Sequence, residues 1–374
     1  MLNYSVAELR FLCLFFLPVL IGCITDFAPE VEGVQGILVV DGMITSGESV
    51  FRLSRSVGIN ELLRDKEMIT NAVMYVERSD GMIFNATHEG EGAYHINTGD
   101  LSPSLEYRLC FSIGDRQYQS SFLKPIQTVE IDNLSFRKEG WRAPVEIYVT
   151  SNGGKESPIY YRWSYRETWE VKATLKATHY YENGKLTELD LRTPYNSYYC
   201  WGRDSSKSLL LGTTKELTEN IISNKKLYEV PCTNDKVSIL YHVEVSQMQL
   251  REEAYNYYRF MQDEIERTGG LFNLVMSAGD NGNIYSLSDP DETMIGYVEV
   301  TNVTKKGMYI PWDDVYEDAG EHCEVFIVRN EFGDLPWLDY FSTPKTYSTW
   351  RCVDCRMRYN ATKNKPSWWP TDHL

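Results

Sequence analysis

Short stretches in which apolar and polar residues alternate follow one another along most of the 374-residue chain. Residues 50–54 and 145–149 alternate with a period of two, which is typical of strands buried on one face. Turn dipeptides such as Asn183-Gly184 separate these stretches and favour hairpins. The pattern predicts a mostly β fold with two tandem β-sandwich domains, over residues 36–127 and 128–311.

The first predicted domain carries strand, turn and tyrosine motifs in the order found in small Greek-key sandwiches. A Gly-x-Tyr motif at 92–94 and a Tyr-x-Leu motif at 107–109 follow a turn signal at 79–81. This order resembles sandwiches of the transthyretin or carboxypeptidase-regulatory type, and an immunoglobulin-like sandwich is the alternative. Either sandwich type would imply much the same function for this domain.

One stretch of the second domain has helical rather than strand periodicity. Its apolar residues recur at helical spacing and form one face: Ala254, Tyr257, Tyr258, Met261 and Ile265. A glycine pair at 269–270 ends the pattern. We predict one prominent helix near 250–268, whose tyrosine face packs against the fold rather than binding a ligand. Residues 312–374 are predicted to form an irregular extension that closes the second domain.

An apolar run near the start of the sequence has the length of the apolar core of a signal peptide. Residues 11–21 are too few to span a bilayer as a helix, and the run ends in the order Leu-Ile-Gly-Cys. This order predicts cleavage between Gly22 and Cys23, with a diacylglycerol and an amide-linked acyl chain such as palmitate attached to Cys23. Residues 1–22 are then a lipoprotein signal peptide and 23–35 a tether. An ordinary secretory signal or a short membrane anchor is the alternative.

The charge of the chain argues against some classes of partner. The formal net charge is -16 and the sequence pI is near 4.9. Acidic proteins bind poorly to nucleic acid and to anionic lipid head groups by charge. We therefore expect no nucleic-acid partner, and attachment to a membrane through the lipid on Cys23 rather than through charge.

Cysteine usage indicates an oxidising compartment. Of eight cysteines, one would leave with the signal peptide and one would carry the lipid, which leaves six. An even number in an exported chain favours disulfides. We predict the pairs Cys200–Cys232 and Cys352–Cys355, and Cys323 pairing with either member of the second pair is the alternative.

A dense group of aromatic residues is the strongest surface candidate in the sequence. It consists of Tyr195, Tyr198, Tyr199 and Trp201. Aromatic side chains provide a large contact area at low entropic cost, so this patch could stack on sugar rings or hold a partner. Packing within a sheet explains the same residues without a ligand, and both interpretations stay open.

Motifs for catalysis are absent from the sequence. It contains no HExxH motif, nucleophile elbow or phosphate-binding loop. The acidic loop at 280–283 lacks the residue order of an EF-hand. A zinc site of His322 with Cys323, Cys352 and Cys355 is disfavoured, because thiolate zinc sites belong mainly to reducing compartments. We predict no catalytic residues, no metal and no cofactor, and a hydrolase using a carboxylate pair assembled in space is the alternative.

Several motifs occur together in an order that resembles one bacterial family. They are Cys-Trp at 200–201 before Ser-Leu-Leu-Leu-Gly, Tyr-His-Val-Glu-Val-Ser-Gln at 241–247, Gly-Leu-Phe-Asn at 270–273, Asp-Pro-Asp-Glu at 289–292, Cys-Val-Asp-Cys-Arg at 352–356 and Lys-Pro-Ser-Trp-Trp-Pro at 365–370. The combination resembles domain-of-unknown-function family 4249. The resemblance implies an outer-membrane lipoprotein encoded near TonB-dependent transporters, and no catalytic residue is attached to the family.

These observations lead to one functional expectation and two alternatives. We expect a non-enzymatic outer-membrane lipoprotein that serves a TonB-dependent transporter as an accessory or ligand-capture subunit. A free-standing surface protein that binds glycans or peptides, or an adhesin, is the first alternative, and a hydrolase is the second. The sequence behind Cys23 does not distinguish the periplasmic from the cell-surface face of the membrane.

Overall fold

A computed structural model describes residues 36–56, 67–154, 159–182, 185–189, 196–268, 282–318, 322–327 and 346–370. The predicted lipid site at Cys23, the cleavage site after Gly22 and the aromatic Tyr195 lie outside these residues. Within them the chain is mostly β, which confirms the predicted fold class. No helix in this part of the chain is long and apolar enough to cross a membrane.

Two sheets form the first sandwich. Their strands are β1 (Leu38–Asp41), β2 (Glu48–Arg55), β3 (Glu67–Met68), β4 (Val73–Arg78), β5 (Ile83–Asn85), β6 (Thr87–His88), β7 (Ala93–Asn97), β8 (Tyr107–Ile113), β9 (Arg116–Ser120), β19 (Ile284–Ser286) and β20 (Met294–Ile295). One sheet has the order β20-β1-β2-β7-β6 with β3 paired to β2, and the other has the order β19-β9-β8-β4-β5.

Alternation along these strands places one set of side chains in a shared core. Phe51 and Leu53 of β2 are fully buried, and they belong to the same apolar cluster as Met74 and Val76 of β4. The residues between them point to the other face of each strand, as the two-residue period of a strand requires. Burial of each large apolar side chain contributes about 1.5–3 kcal/mol, so this cluster is the main stabilising element of the first sandwich.

Two further sheets form the second sandwich. Their strands are β10 (Asn133–Arg137), β11 (Val145–Asn152), β12 (Tyr160–Lys172), β15 (Tyr199–Ser205), β16 (Leu210–Thr213), β17 (Ile221–Val230), β18 (Leu240–Leu250), β21 (Val303–Pro311) and β24 (Ala361–Thr362). The small sheet has the order β10-β11-β17, and the large one has the order β21-β18-β12-β15-β24 with β16 paired to β12. Two separate two-stranded antiparallel sheets pair β13 (His179–Glu182) with β14 (Lys185–Glu188) and β22 (Phe326–Ile327) with β23 (Thr346–Tyr347).

The long aromatic strand β12 is the centre of the second sandwich. It has 13 residues and pairs with β18 along most of its length. Trp163 and Trp169 lie in the core with Tyr241 of β18, and each is at most 1% exposed. Aromatic residues are favoured in strands because they pack well on a pleated surface. Trp163 and Trp169 are among the largest fully buried side chains of the described residues.

The predicted helix, α1 (Glu252–Thr268), lies between the two sandwiches. Ala254, Tyr257, Tyr258 and Met261 are buried, as the helical spacing predicted, and the side chain of Ile265 is outside the described part. This face joins an apolar cluster with Tyr160 and Leu211 of the second sandwich and Ile295 and Tyr297 of the first. The tyrosine face is therefore a packing surface that links the two cores.

A buried carboxylate strengthens this junction. Glu299 is fully buried and pairs with Arg251, the residue that precedes α1. The backbone N–H of Arg251 also donates to Glu299 at 3.0 Å, and the backbone N–H of Ile44 in the first sandwich donates to its carbonyl at 2.8 Å. Burial raises the pKa of Glu299 above its usual value. The first turn of the helix is thus fixed to the first sandwich.

The structure divides the chain between the sandwiches differently from the predicted ranges 36–127 and 128–311. Strands β19 and β20 follow α1 in the sequence but add to the two sheets of the first sandwich. Leu38 of β1 aligns with Met294 in a parallel pair, and Ser120 of β9 aligns with Ile284 in an antiparallel pair. The chain therefore returns to its first sandwich after building most of the second.

The described part of the C-terminal extension covers the large sheet of the second sandwich. It contains two short helices, α2 (Trp312–Val315) and α3 (Trp350–Val353), and β24 adds to the edge of the sheet beside β15. Near its end, Trp369 is buried and donates its indole N–H to the fully buried Glu170 of β12 at 2.8 Å. The extension is thus an integral layer of the fold.

His242 lies under this extension and should make stability depend on pH. Its ring centroid is 4.5 Å from that of Tyr309 and 4.9 Å from that of Trp368. Burial lowers the pKa of His242 below its usual 6.5, and Glu244 offsets part of this shift. The unfolded chain therefore takes up this proton at a higher pH than the folded protein does. Stability conferred by neutral His242 is present above pH 6.5 and is lost as the pH falls below it.

We expect His242→Phe to reduce the loss of stability between pH 7.5 and pH 5.5, because phenylalanine fills the aromatic site without titrating. Urea unfolding at the two pH values measures this difference in the free energy of unfolding. His88→Phe replaces an exposed histidine and is the control, which should keep the pH dependence of the native protein. Equal pH dependence in all three proteins would show that His242 is not responsible.

Candidate functional site

A cleft of about 970 Å³ opens where several parts of the second sandwich meet the C-terminal extension. It is lined by Trp169, Lys172, Ala173, Thr174, Tyr199, Thr233, Asn234, Asp235, Lys236, Ser238, Ile239, Trp312, Tyr316, Asp318, Arg351, Arg358 and Tyr359. This volume is at the upper end of the usual range for small-molecule sites, about 300–1,000 Å³. The lining combines aromatic, cationic, acidic and amide side chains, so it differs from the apolar cores of the two sandwiches.

Strand pairing and one disulfide determine the walls of the cleft. The β12–β15 register places Lys172 opposite Tyr199, so both reach the cleft from neighbouring strands. Cys200, the next residue, is bonded to Cys355, with 5.6 Å between the Cα atoms. The turn after Cys355 carries Arg358 to the cleft. The disulfide therefore holds a segment of the C-terminal extension against the edge of the sheet.

Close packing under the cleft requires a glycine. Gly202 on β15 lies opposite Trp169 on β12. A Cβ atom at position 202 would come within 2.2 Å of the indole ring of Trp169, which no side chain can do without moving the ring. The absence of a side chain at 202 leaves room for the indole of Trp169, which also lines the cleft.

Lys236 is the central cation of the cleft. Its ammonium nitrogen donates to Glu167 at 2.7 Å and lies 3.5 Å from Asp204. The same nitrogen is 4.8 Å from the ring centroid of Trp169 and 5.8 Å from that of Tyr359. The two rings are nearly parallel, at 3°, with centroids 6.3 Å apart. Carboxylates and aromatic faces together compensate the charge of the largely buried ammonium.

A smaller cavity of about 190 Å³ lies on the other side of Lys236 and Asn234. Tyr241 donates its hydroxyl to Glu167 at 2.5 Å, and the hydroxyls of Tyr228 and Tyr241 are 2.7 Å apart. Because Tyr241 gives its proton to Glu167, Tyr228 donates to Tyr241. Burial raises the pKa of both tyrosines well above the ordinary value. They therefore stay protonated at neutral pH and act as hydrogen-bond donors.

The charges that line the large cleft are mixed and largely paired. Arg358 lies 3.3 Å from a carboxylate oxygen of Asp235 and donates to the hydroxyl of Thr174 at 2.7 Å. Lys236 is paired with Glu167. Two aromatic side chains at the cleft remain open to solvent, Trp312 with 54% and Tyr359 with 56% of its surface exposed. The arrangement offers many hydrogen-bonding groups, and exposed ring faces beside them.

The predicted aromatic patch is divided among three environments. Tyr199 lines the cleft, whereas Tyr198 packs against the core of the second sandwich. Trp201 is 8% exposed and lies opposite Thr362 of the C-terminal extension. Tyr195 lies outside the described residues. Of the three described members, only Tyr199 belongs to the cleft, and Trp201 and Tyr198 have packing roles.

The predicted disulfide pairs are corrected by the structure. Cys200 is bonded to Cys355 rather than to Cys232, and Cys352 is bonded to Cys323 rather than to Cys355. Cys232 and Cys110 are buried free thiols. The backbone N–H of Cys355 donates to the carbonyl of Ser197 at 2.8 Å, which draws this residue to the start of β15 and away from its neighbour in the sequence. The alternative pairing of Cys323 with Cys352 is confirmed.

These bonds also use the three sulfur atoms of the alternative zinc site. Cys323, Cys352 and Cys355 are all oxidised, so none of them is a thiolate ligand beside His322. Within the described ranges, no group of three or more histidine, cysteine or acidic residues has the geometry of a metal site.

Comparison with known families identifies the chain. The family described as domain of unknown function DUF4249 matches residues 24–307. The chain belongs to the DUF4249 family. The resemblance drawn from its motifs is confirmed, whereas lipid attachment stays a prediction. No curated protein matches this DUF4249 chain. The matched segment ends within β21, so the cleft residues from Trp312 onward lie beyond it.

Sequence reasoning missed most of the cleft. Lys236, Trp312, Arg358 and Tyr359 occur in no local motif that indicates binding. One feature of the sequence indicated this region indirectly. Tryptophan and arginine residues concentrate around the cysteines at 352 and 355. Without the correct disulfide partner, nothing placed this region beside β12 and Lys236.

Proposed function

We propose that this DUF4249 protein is a non-enzymatic outer-membrane lipoprotein that captures a ligand for a TonB-dependent transporter. The lipid on Cys23 anchors it, and the tether at 23–35 connects the lipid to the first sandwich. The cleft of about 970 Å³ beside Lys236 is the observation that carries the capture role. The transporter is the partner implied by the family resemblance.

The groups that hold Lys236 at the cleft support binding rather than turnover. Both oxygens of the Glu167 carboxylate are engaged, one by Lys236 and the other by Tyr241. The two buried tyrosines stay protonated because burial raises the pKa of each. Lys236 and Arg358 in the lining are paired with carboxylates, so they can orient a ligand, and neither is an activated nucleophile.

Purification from solubilised outer membranes tests the proposal. The full chain, tagged after its last residue, is extracted from its native host in mild detergent, and co-purifying proteins are identified by mass spectrometry. We expect a TonB-dependent transporter in near-stoichiometric amount. Recovery of the protein alone would overturn the partner assignment and favour the alternative of a free-standing glycan-binding or peptide-binding surface protein.

A Cys23→Ala variant is the control for the anchor in this experiment. Two or three acyl chains hold a soluble domain stably on a membrane, whereas a chain without them has no such anchor. We expect the variant to leave the membrane fraction and to lose the transporter from the purified material. A variant that stays in the membrane fraction to the same extent as the native chain would contradict lipid attachment at Cys23.

A further inference from the structure

Two exposed aromatic rings at the cleft point to a ligand with apolar faces. Trp312 of α2 and Tyr359, which follows the turn after Cys355, are both more than half exposed. Aromatic side chains supply a large contact area and are enriched at binding interfaces. Tyr359 is also held in place, since its ring is parallel to Trp169 and its hydroxyl donates to Asp204 at 3.3 Å. A ring fixed in advance binds at low entropic cost.

The other lining groups point to a ligand rich in hydroxyls. Asp235, Arg358 and Thr174 provide acceptors and donors within one connected set. Asn234 and Ser238 add an amide and a hydroxyl to the lining. A hydroxyl group both donates and accepts, so it can satisfy such a mixed surface, whereas an apolar ligand would bury these groups without partners.

The charge balance argues against a strongly charged ligand. Of the four cations in the lining, Lys236 is paired with Glu167 and Asp204, and Arg358 is paired with Asp235; the other two are Lys172 and Arg351. The chain as a whole carries a net charge of -16, which repels a polyanion. A neutral ligand leaves these ion pairs intact.

A peptide fits the site less well than a sugar. One recurring way to bind an extended peptide is to add it as a strand to a free sheet edge. Beside the cleft, the edge of β15 at Trp201 and Gly202 is already paired with β24. The cleft therefore offers side chains and ring faces more than main-chain groups.

We infer that the cleft binds a neutral oligosaccharide, with sugar rings stacked on Trp312 and Tyr359 and hydroxyls bound by the Asp235, Arg358 and Thr174 set. This inference rests on the proposed capture function and names its ligand class. The cleft of about 970 Å³ has room for several sugar units rather than one.

Calorimetric titration of the full lipidated chain in detergent tests the inference. The probes are neutral hexasaccharides of glucose, mannose and xylose in different linkages, a galacturonic acid oligomer as the charged sugar, and a tryptic casein digest as the peptide source. We expect binding of at least one neutral hexasaccharide with a Kd of about 1 mM or tighter. Trp312→Ala and Tyr359→Ala should each weaken it at least about tenfold.

Two variants of matched exposure are the controls. Trp368→Ala removes a tryptophan that is 51% exposed, and Tyr285→Ala removes a tyrosine that is 43% exposed, both outside the cleft lining. We expect unchanged affinity in both. Thermal unfolding of all four variants shows whether each still folds.

Three outcomes overturn the inference. They are the absence of binding to every neutral hexasaccharide, preference for the casein digest or the galacturonic acid oligomer, and equal loss of affinity in the control variants. Co-purification with a transporter is measured separately. A protein that retains its transporter but binds no neutral sugar therefore refutes the ligand class and leaves the proposed function standing. A protein that binds a neutral sugar but lacks a transporter partner supports the ligand class and refutes the proposed function.

Discussion

Replacing Lys236 by methionine is expected to lower the free energy of unfolding of the second sandwich by about 3 kcal/mol. The ammonium of Lys236 is 2.7 Å from Glu167, whose side chain is 5% exposed. Without this cation, Glu167 keeps the hydroxyl of Tyr241 as a partner but loses its compensating charge. An uncompensated charge in a core is far more costly than the loss of a surface ion pair.

Urea unfolding followed by tryptophan fluorescence measures the effect, because Trp163 and Trp169 are buried in the same core. Lys207→Met is the matched control. Lys207 also approaches Asp204, at 3.8 Å, but its side chain is 75% exposed. We expect its replacement to change the free energy of unfolding by less than about 0.5 kcal/mol.

A double variant separates lost charge compensation from lost packing. In Lys236→Met with Glu167→Gln, no buried charge is left without its partner, and methionine keeps the apolar stem beside Trp169. We expect the double variant to recover most of the stability lost in the single one, since replacing a whole buried pair is often nearly neutral. If the double variant is less stable than the single one, packing or the Tyr241 hydrogen bond dominates, and the electrostatic explanation fails.

Local patterns predicted the strands and the helix because their causes are local. The alternation at Phe51 and Leu53, and the helical spacing of Ala254 and Tyr258, record which side chains face a core. No local sequence pattern of this kind indicates that β19 and β20 pair with strands of the first sandwich. β20 has two residues, and its pairing with β1 joins positions far apart in the chain. A short strand carries too few side chains to specify its partner by periodicity.

The candidate site was less accessible from the sequence, for a similar reason. The cleft depends on the bond between Cys200 and Cys355, whereas the sequence predicted Cys232 as the partner because it and Cys200 flank one irregular segment. The predicted aromatic patch serves mainly in packing. Trp201, for example, is only 8% exposed. The exposed rings of the cleft, Trp312 and Tyr359, come from a segment whose position only the tertiary structure defines.

Removing the Cys200–Cys355 disulfide, by replacing both cysteines with alanine, is expected to destabilise the protein by about 5 kcal/mol on the loop-entropy relation. The bond closes a loop with a sequence separation of 155 residues, whereas Cys323–Cys352 spans 29. The same relation gives about 3.5 kcal/mol for the shorter loop. Replacing both residues of a pair avoids a new free thiol in either variant.

Urea unfolding of the two double variants without reductant compares these effects, and a non-reducing peptide map of the native chain checks the connectivity. A map that links Cys200 to Cys232, or a larger loss of stability in the Cys323→Ala and Cys352→Ala protein, would contradict the assignment.

The longer bond also has a local consequence. Cys200 is fixed in the sheet, and Cys355 precedes the residues that bring Arg358 and Tyr359 to the cleft. Loss of this bond should therefore weaken ligand binding more than loss of the other, because it frees Arg358 and Tyr359 while the lining residues on β12 stay in place.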